Sequence, residues 1–315
     1  MHRKRTDMTR CPPPYRPLRG VDPPHFVDRD DPHDVGASGI VAASIAAYAA
    51  GPCDPRFHRL VVAGPAMGKT ALLRAIGREA ASRLGWAVTV HSCRAKERAI
   101  RVVSTELINT LQQQWTREGA GWVGEFFALG LPEGEGFSER EPGPRFDSVA
   151  SSWSTLKKVL ELAGTLARKF SRGLLVMFDD ADRLPGGELE SLGYLARNLS
   201  RVGLPVALLF TGASQVGARF ARAGDIMEYV WPTTLGGLDD SDAREALVVP
   251  AVDRGVEFQE DALELLCLRA AGSPLELQRL GFAAWSAARG GELVTLADVH
   301  VALGLLDEGA EARAC

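Results

Sequence analysis

Ala63-Gly64-Pro65-Ala66-Met67-Gly68-Lys69-Thr70 stands between a short apolar run, Arg59–Ala63, and a stretch of helical periodicity, Lys69–Leu84. The apolar run has the length of a buried parallel strand. Leu72, Ile76, Ala80 and Leu84 recur every four residues and form one stripe of a helix. Between the two, Gly64 and Gly68 let the backbone curl until its N–H groups converge, and the following helix offers the positive end of its dipole. Converging donors favour an anion, so a Gly-Lys-Thr in this strand–turn–helix setting predicts a phosphate-binding loop. Gly64, Pro65, Ala66, Met67 and Gly68 form the cradle. Lys69 supplies a charge to the β- and γ-phosphates, and Thr70 a hydroxyl to Mg²⁺. Ala63 occupies the first position of the pattern, where Gly is usual.

Downstream, Leu174-Leu175-Val176-Met177-Phe178 is a buried strand ending in Asp179-Asp180. Asp179 is expected to hold Mg²⁺ together with Thr70. Asp180 stands where a carboxylate orients an attacking water. A strand ending in two aspartates is, taken alone, also a turn or a helix cap; the loop upstream favours the site reading. Thr211 directly follows the apolar run Pro205–Phe210. It either reaches the γ-phosphate or the attacking water, or simply opens the turn Thr211–Ser214.

Strand and helix patterns alternate through the first three quarters of the chain. Helices are expected at Asp31–Tyr48, Ile100–Trp115, Val149–Phe170 and Glu188–Arg201, and further strands at Trp86–Val90 and Glu228–Trp231. This order predicts an α/β domain whose parallel sheet is flanked by helices. Residues 119–145, rich in Gly, Pro and Glu, read as an insertion. After Gly237 no strong strand remains. Asp240 or Ser241 caps a helix to about Val248, others span Glu260–Ala271 and Pro274–Arg289, and Thr295 with Asp298 forms a capping box. The expected division is a mobile basic and proline-rich tail over 1–24, an α/β domain over 25–236, a small all-helical domain over 237–306, and a second tail over 307–315.

The 315 residues are 46% hydrophobic and 24% charged, as in a globular domain with a real core, and the formal charge of −4 excludes a chain built mainly as a polycation. Cys11, Cys53, Cys93, Cys267 and Cys315 lie far apart with no CxxC pair, which excludes a disulfide scaffold or zinc ribbon and points to a reducing cytoplasm. The stretch nearest to a membrane span, Gly36–Gly51, is shorter than the ~20 apolar residues required and poor in large side chains. Arg3, Lys4 and Arg5 precede prolines, where a signal peptide would have a hydrophobic run. No membrane association is expected.

Phe26-Val27-Asp28-Arg29-Asp30, the loop at 63–70, Asp179-Asp180-Ala181-Asp182-Arg183-Leu184 and Gly272-Ser273-Pro274 occur in that order. Together they resemble P-loop ATPases of the AAA+ superfamily, in the bacterial branch related to origin-recognition and STAND signalling ATPases. The resemblance covers about residues 25–305. It implies that Phe26, Val27 and Arg29 lie near adenine, that Thr211 is the sensor 1 residue, and that Pro274 belongs to the lid and packs near the base. Gly-Ser-Pro also reads as a plain helix stop and restart. Leu275 stands where origin-recognition ATPases place the sensor-2 arginine, with Arg279 one helical turn later. This departure resembles STAND proteins. Arg219 and Arg222 occupy the helix where an arginine finger would sit, or are solvated helix arginines. After Leu306 only a short acidic tail is expected, without a winged-helix domain.

The resemblance and the site residues together imply ATP or ADP with Mg²⁺ as ligand. They imply a slow ATPase acting as a conformational or assembly switch, read by a protein partner or by self-assembly. The alternatives are a DNA-transaction ATPase of the loader or transposition-regulator sort and a non-hydrolysing nucleotide-binding scaffold. The acidic balance disfavours DNA. Arg3, Lys4, Arg5, Arg10, Arg16 and Arg19 form the densest basic cluster, so any DNA binding is expected to be weak, salt-sensitive and carried by the tail.

Overall fold

A computed structural model describes residues 12–18, 21–30, 39–94, 102–104, 106–107, 109–111, 153–222, 225–289 and 291–314. The chain divides into two compact units. One combines Asp30–Gly64 with Leu72–Leu235, and the other combines Met1–Arg29, Pro65–Ala71 and Gly236–Cys315.

The larger unit is built on five parallel strands: β1 (Arg59–Val62), β2 (Ala87–Ser92), β3 (Leu174–Asp179), β4 (Val206–Gly212) and β5 (Trp231–Thr234). Their order is β2-β3-β4-β1-β5. The two central runs, β3 and β4, are buried along their whole length. That is why they read as continuous apolar segments rather than alternating ones. Phe178 of β3 and Phe210 of β4 stack with ring centroids 5.1 Å apart, and Phe220 leans on Phe210 at 5.2 Å. The helices are α1 (Ile40–Ala50), α2 (Lys69–Leu84), α3 (Trp153–Lys169), α4 (Gly186–Val202) and α5 (Ser214–Arg222). The described residues between 102 and 111 are helical, and Val103, Leu107 and Leu111 are buried.

Helix α2 has the bounds its periodicity predicts. The fifth strand is displaced from the expected Glu228–Trp231. Asp225–Glu228 form a 3₁₀ turn, and the strand starts at Trp231, whose N–H donates to the His58 carbonyl at 2.8 Å. Pro232 has no N–H to offer a neighbour, which the outer position of β5 tolerates. Helix α1 begins at Ile40, after Gly39, rather than at Asp31. Residues 31–38 and the insertion at 119–145 lie outside the described residues.

His58, just before β1, ties this sheet to α4. Its Nδ1 accepts the Leu208 N–H at 3.0 Å, so the ring proton sits on Nε2, 2.9 Å from Ser200 Oγ. Burial pushes its pKa down to about 3. The ring is neutral in the folded chain, whereas the unfolded chain takes up a proton below its ordinary pKa of about 6.5. The stability that a neutral His58 contributes is therefore present above pH 6.5 and lost as pH falls towards 3. His58→Phe is expected to be less stable than the native protein at pH 7. The gap should shrink by about 1.4 kcal/mol per pH unit below 6.5. Urea unfolding of both proteins between pH 7 and pH 4 measures it, and a constant gap would contradict a neutral His58.

The smaller unit packs α6 (Asp240–Val252), α7 (Glu260–Ala270), α8 (Pro274–Ala287) and α9 (Leu296–Ala314) around Leu247, Leu266, Leu277 and Val299. Three observations correct the expectations. The region is not wholly helical, because Glu257–Phe258 and Leu293–Val294 pair in parallel as β6 and β7. Two-residue strands carry no periodicity that a sequence pattern displays. Helix α6 is capped by Asp239, whose side chain accepts the Asp242 N–H at 2.8 Å, and it runs through Pro250 to Val252. Helix α9 continues past Leu306 to Ala314, through a stretch of good helix formers. The capping box at its start is present. Thr295 N donates to Asp298 Oδ2 at 2.9 Å, and Asp298 N donates to Thr295 Oγ1 at 3.3 Å.

The N-terminal segment is also corrected where it is described. Tyr15 is 2% exposed and belongs to the helical core. Its hydroxyl donates to the Leu247 carbonyl at 2.7 Å, and its ring meets Trp285 edge-on at 6.2 Å. The surrounding prolines suggest a mobile tail. An aromatic ring that finds a core 232 residues away along the chain stabilises by burial what local composition leaves loose.

Candidate functional site

Strand β1 ends at Val62, and Ala63 N–H still donates to the Gly212 carbonyl at 3.0 Å. The chain then runs through Gly64 and Pro65 to α2, which begins at Lys69. Two residues of the turn have left-handed backbone, Ala66 at φ 64° and Gly68 at φ 84°. Such kinks turn consecutive N–H groups to one side, the geometry of an anion nest. For alanine the left-handed region costs about 1–2 kcal/mol. Pro65 and Ala66 are exposed, and Met67, Gly68, Lys69 and Thr70 are half-buried.

Within the smaller unit, the loop segment is held from one side by Arg29, which is 8% exposed. Its Nη1 donates to the Gly236 carbonyl at 2.6 Å and its Nη2 to the Met67 carbonyl at 2.9 Å. Burial pushes the guanidinium's pKa down, and the carboxylates of Asp242 and Asp28 act against that. A Cβ on Gly68 would lie 3.1 Å from Arg29 Nη2, in a backbone conformation that side chains rarely adopt, so only glycine fits there without strain. Arg29 thus reaches the site, but its guanidinium is committed to two carbonyls. Phe26, Val27, Arg29, Gly68 and Pro274 line one concavity.

Pro274 opens α8 as its first residue, and Ser273 caps that helix by accepting the Glu276 N–H at 3.4 Å. Gly272, before it, has φ 73°, and a Cβ there would meet the Leu238 carbonyl at 2.8 Å. Gly-Ser-Pro therefore does stop and restart a helix, and it also brings the Pro274 ring to the concavity. Leu275 is half-buried. Arg279 pairs with Glu276 at 2.7 and 3.0 Å on the exposed side of α8.

In the larger unit, Asp179 and Thr211 come together at the ends of β3 and β4. Both are buried, at 6% and 0% exposure. Thr211 Oγ1 donates to Asp179 Oδ1 at 2.7 Å and accepts the Asp180 N–H at 3.2 Å. One hydroxyl thereby orients both aspartates. Asp180 has φ 55°, and its carboxylate, 39% exposed, lies 3.3 Å from Arg183. Arg219 is half-buried. Its guanidinium donates to the carbonyls of Asp182, at 2.8 Å, and Leu184. Arg222 is exposed.

Among the described residues no group of three or more His, Cys, Asp or Glu side chains is placed to hold a metal ion. A buried single carboxylate with a hydroxyl partner does fit Mg²⁺ of the kind bound through one or two carboxylates and phosphate oxygens. The left-handed kinks at Ala66 and Gly68, followed by a helix N-terminus, fit the phosphates.

A parallel sheet in the order β2-β3-β4-β1-β5, a Gly-Lys-Thr loop after β1, an aspartate ending β3 and a helical region downstream define a P-loop ATPase of the AAA+ class. Residues 43–209, more than half of the chain, match the AAA ATPase domain, and the chain belongs to that family. No curated protein matches it.

Among solved structures it is similar to Cdc6p from Pyrobaculum aerophilum, with 15% identity and a TM-score of 0.51, covering 86% of this chain and 66% of that one. It also resembles Orc1 of Aeropyrum pernix, solved in complex with DNA, with 19% identity, a TM-score of 0.47 and coverage of 84% and 64%. The RuvB Holliday junction branch migration motor of Thermotoga maritima aligns at 17% identity and a TM-score of 0.46, covering 84% and 68%. The chain spans about two thirds of the length of these proteins. The likeness to Cdc6p concerns the fold. Among the described residues no helix is long and apolar enough to cross a membrane.

Proposed function

We propose that this AAA+ ATPase is a nucleotide switch. ATP with Mg²⁺ binds at the loop, slow hydrolysis follows, and a protein partner or further copies of the chain read the two states in a reducing cytoplasm. The observation that carries this reading is the pair of hydrogen bonds that Arg29 donates to the Met67 and Gly236 carbonyls. Through it the phosphate-loop segment, the N-terminal segment and the first residues of the helical lid form one packed unit. A change in the loop's backbone on filling has a direct route to the lid's first residues.

Each site residue has a stated role in this reading. Gly64, Pro65, Ala66, Met67 and Gly68 present backbone donors to the phosphates, and Lys69 holds the β- and γ-phosphates by charge. Thr70 and Asp179 hold Mg²⁺, whose chemistry is to neutralise phosphate charge. Thr211 keeps the Asp179 carboxylate in one orientation. Asp180 accepts a proton from the attacking water. Phe26, Val27 and Pro274 give apolar surface to the base, and Arg29 positions the loop. Asp180 shares its carboxylate with Arg183 and is shorter than the glutamate many relatives use. With Leu275 in the sensor-2 position, this supports slow turnover.

Light scattering coupled to size separation, with no nucleotide, ADP or ATP·Mg²⁺, tests the switch. A change in mass or radius with ATP·Mg²⁺ that Lys69→Ala does not show is the expected result. Binding of ATP with neither change nor turnover would leave the scaffold reading in its place. Tight, ATP-dependent DNA binding at physiological salt, surviving removal of the residues before Pro12, would establish the DNA-transaction reading instead.

A further inference from the structure

Gln278 lies on α8, one turn after Pro274, and lines the same concavity. It is 6% exposed. The backbone N–H of Arg16 donates to its Oε1 at 3.0 Å. A backbone N–H has no use for an amide NH₂, so this bond fixes which end of the side chain is oxygen. The segment seated by Tyr15 thus sets the orientation of a polar group on the lid. The opposite end, Nε2, carries two donors, and no described residue accepts from it.

The other polar side chains around the concavity are engaged. Arg29 donates to the Met67 and Gly236 carbonyls, and His25 Nε2 meets Glu245 at 2.7 Å. Most of the remaining lining is apolar: Phe26, Val27, Leu238, Ala246 and Pro274. A flat apolar wall suits the face of an aromatic ring, and a few fixed polar groups set its orientation. Gln278 Nε2 is not among the buried polar atoms left without a partner, so it opens to the concavity, where an acceptor on the edge of a ring can replace water.

We propose that Gln278 is a specificity-determining residue. Its Nε2 donates to a ring-nitrogen acceptor of a purine base lying against Phe26 and Pro274, while Arg16 N–H holds its Oε1. This rests on the nucleotide-binding reading above and adds the residue that recognises the base. The loop motif does not point to it. Its signal is a glutamine on an otherwise apolar helix face, and its meaning depends on Arg16, 262 residues away.

Two variants of the full chain separate recognition from structure. Gln278→Glu keeps an oxygen for Arg16 N–H but replaces the two donors by a carboxylate. Gln278→Met keeps the length and removes both functions. Calorimetric titration with ATP·Mg²⁺ and with tripolyphosphate·Mg²⁺ is the measurement. Both variants are expected to bind ATP about tenfold more weakly or worse. Tripolyphosphate binding and, for Gln278→Glu, the urea midpoint should match the native protein. Native ATP affinity in Gln278→Glu would overturn the proposal, as would equal losses for ATP and tripolyphosphate. If the native protein binds ATP and Lys69→Ala does not, such a failure belongs to Gln278 alone. If the native protein binds no ATP, the nucleotide reading falls and this proposal with it.

Discussion

Lys69→Ala is expected to weaken ATP·Mg²⁺ binding by roughly 10- to 100-fold, the worth of one charge-assisted contact of about 1.5–3 kcal/mol. Lys69 is the first residue of α2 and follows Gly68 at φ 84°, so its side chain leaves the chain where the backbone donors converge. The fold should survive the change. The residue is half-buried, alanine is the best helix former, and the buried stripe of Leu72, Leu73, Ile76 and Ala80 is untouched. Calorimetry with matched circular dichroism checks both statements. Equal affinities in native and variant protein would remove the basis for the phosphate-loop assignment.

Asp180→Asn is expected to leave ATP affinity nearly intact and to lower turnover by about 10²–10⁴, the usual contribution of a general base. Asp179→Asn should instead weaken Mg²⁺-dependent binding. The two residues are adjacent but differently placed. Asp179 is 6% exposed and bonded to Thr211, and the asparagine oxygen preserves that bond. Asp180 is more open, turned by a left-handed backbone and paired with Arg183 at 3.3 Å. Phosphate release under single-turnover conditions, set beside nucleotide binding for each variant, separates the roles. Native turnover in Asp180→Asn would assign the proton to another group. The comparison has content only if the native protein turns over ATP; without turnover, the scaffold reading is the one that remains.

The elements legible from local pattern are those whose burial is local. Continuous apolar runs at 174–178 and 205–210 became the two wholly buried strands, and the four-residue repeat from Leu72 to Leu84 became α2 with unchanged bounds. Where burial is partial the pattern slips. Strand β5, at the sheet edge, was shifted by the 3₁₀ turn before it, and β6 with β7 is too short to show any period. The turn of the candidate loop was legible for the same reason along one stretch of chain: the glycine before Lys69 takes the left-handed backbone and α2 starts at Lys69, without reference to anything distant.

Distant partners carry no such signal. Phe26 and Val27 stand about 250 residues from Pro274 in the chain, and a family resemblance, not their spacing, put them together. Arg29, expected near a base, lines the same concavity, and its guanidinium is bonded to the carbonyls of Met67 and Gly236. Arg219, read as a finger or a surface charge, is bonded to Asp182 and Leu184. Tyr15 lies in the stretch expected to be a mobile tail, yet it is buried in the helical core. Periodicity and motif spacing report which face of a segment is buried and which groups one turn presents. Which carbonyl comes within about 3 Å of a given donor depends on how segments hundreds of residues apart pack, and that is settled only when the chain has closed on its two cores.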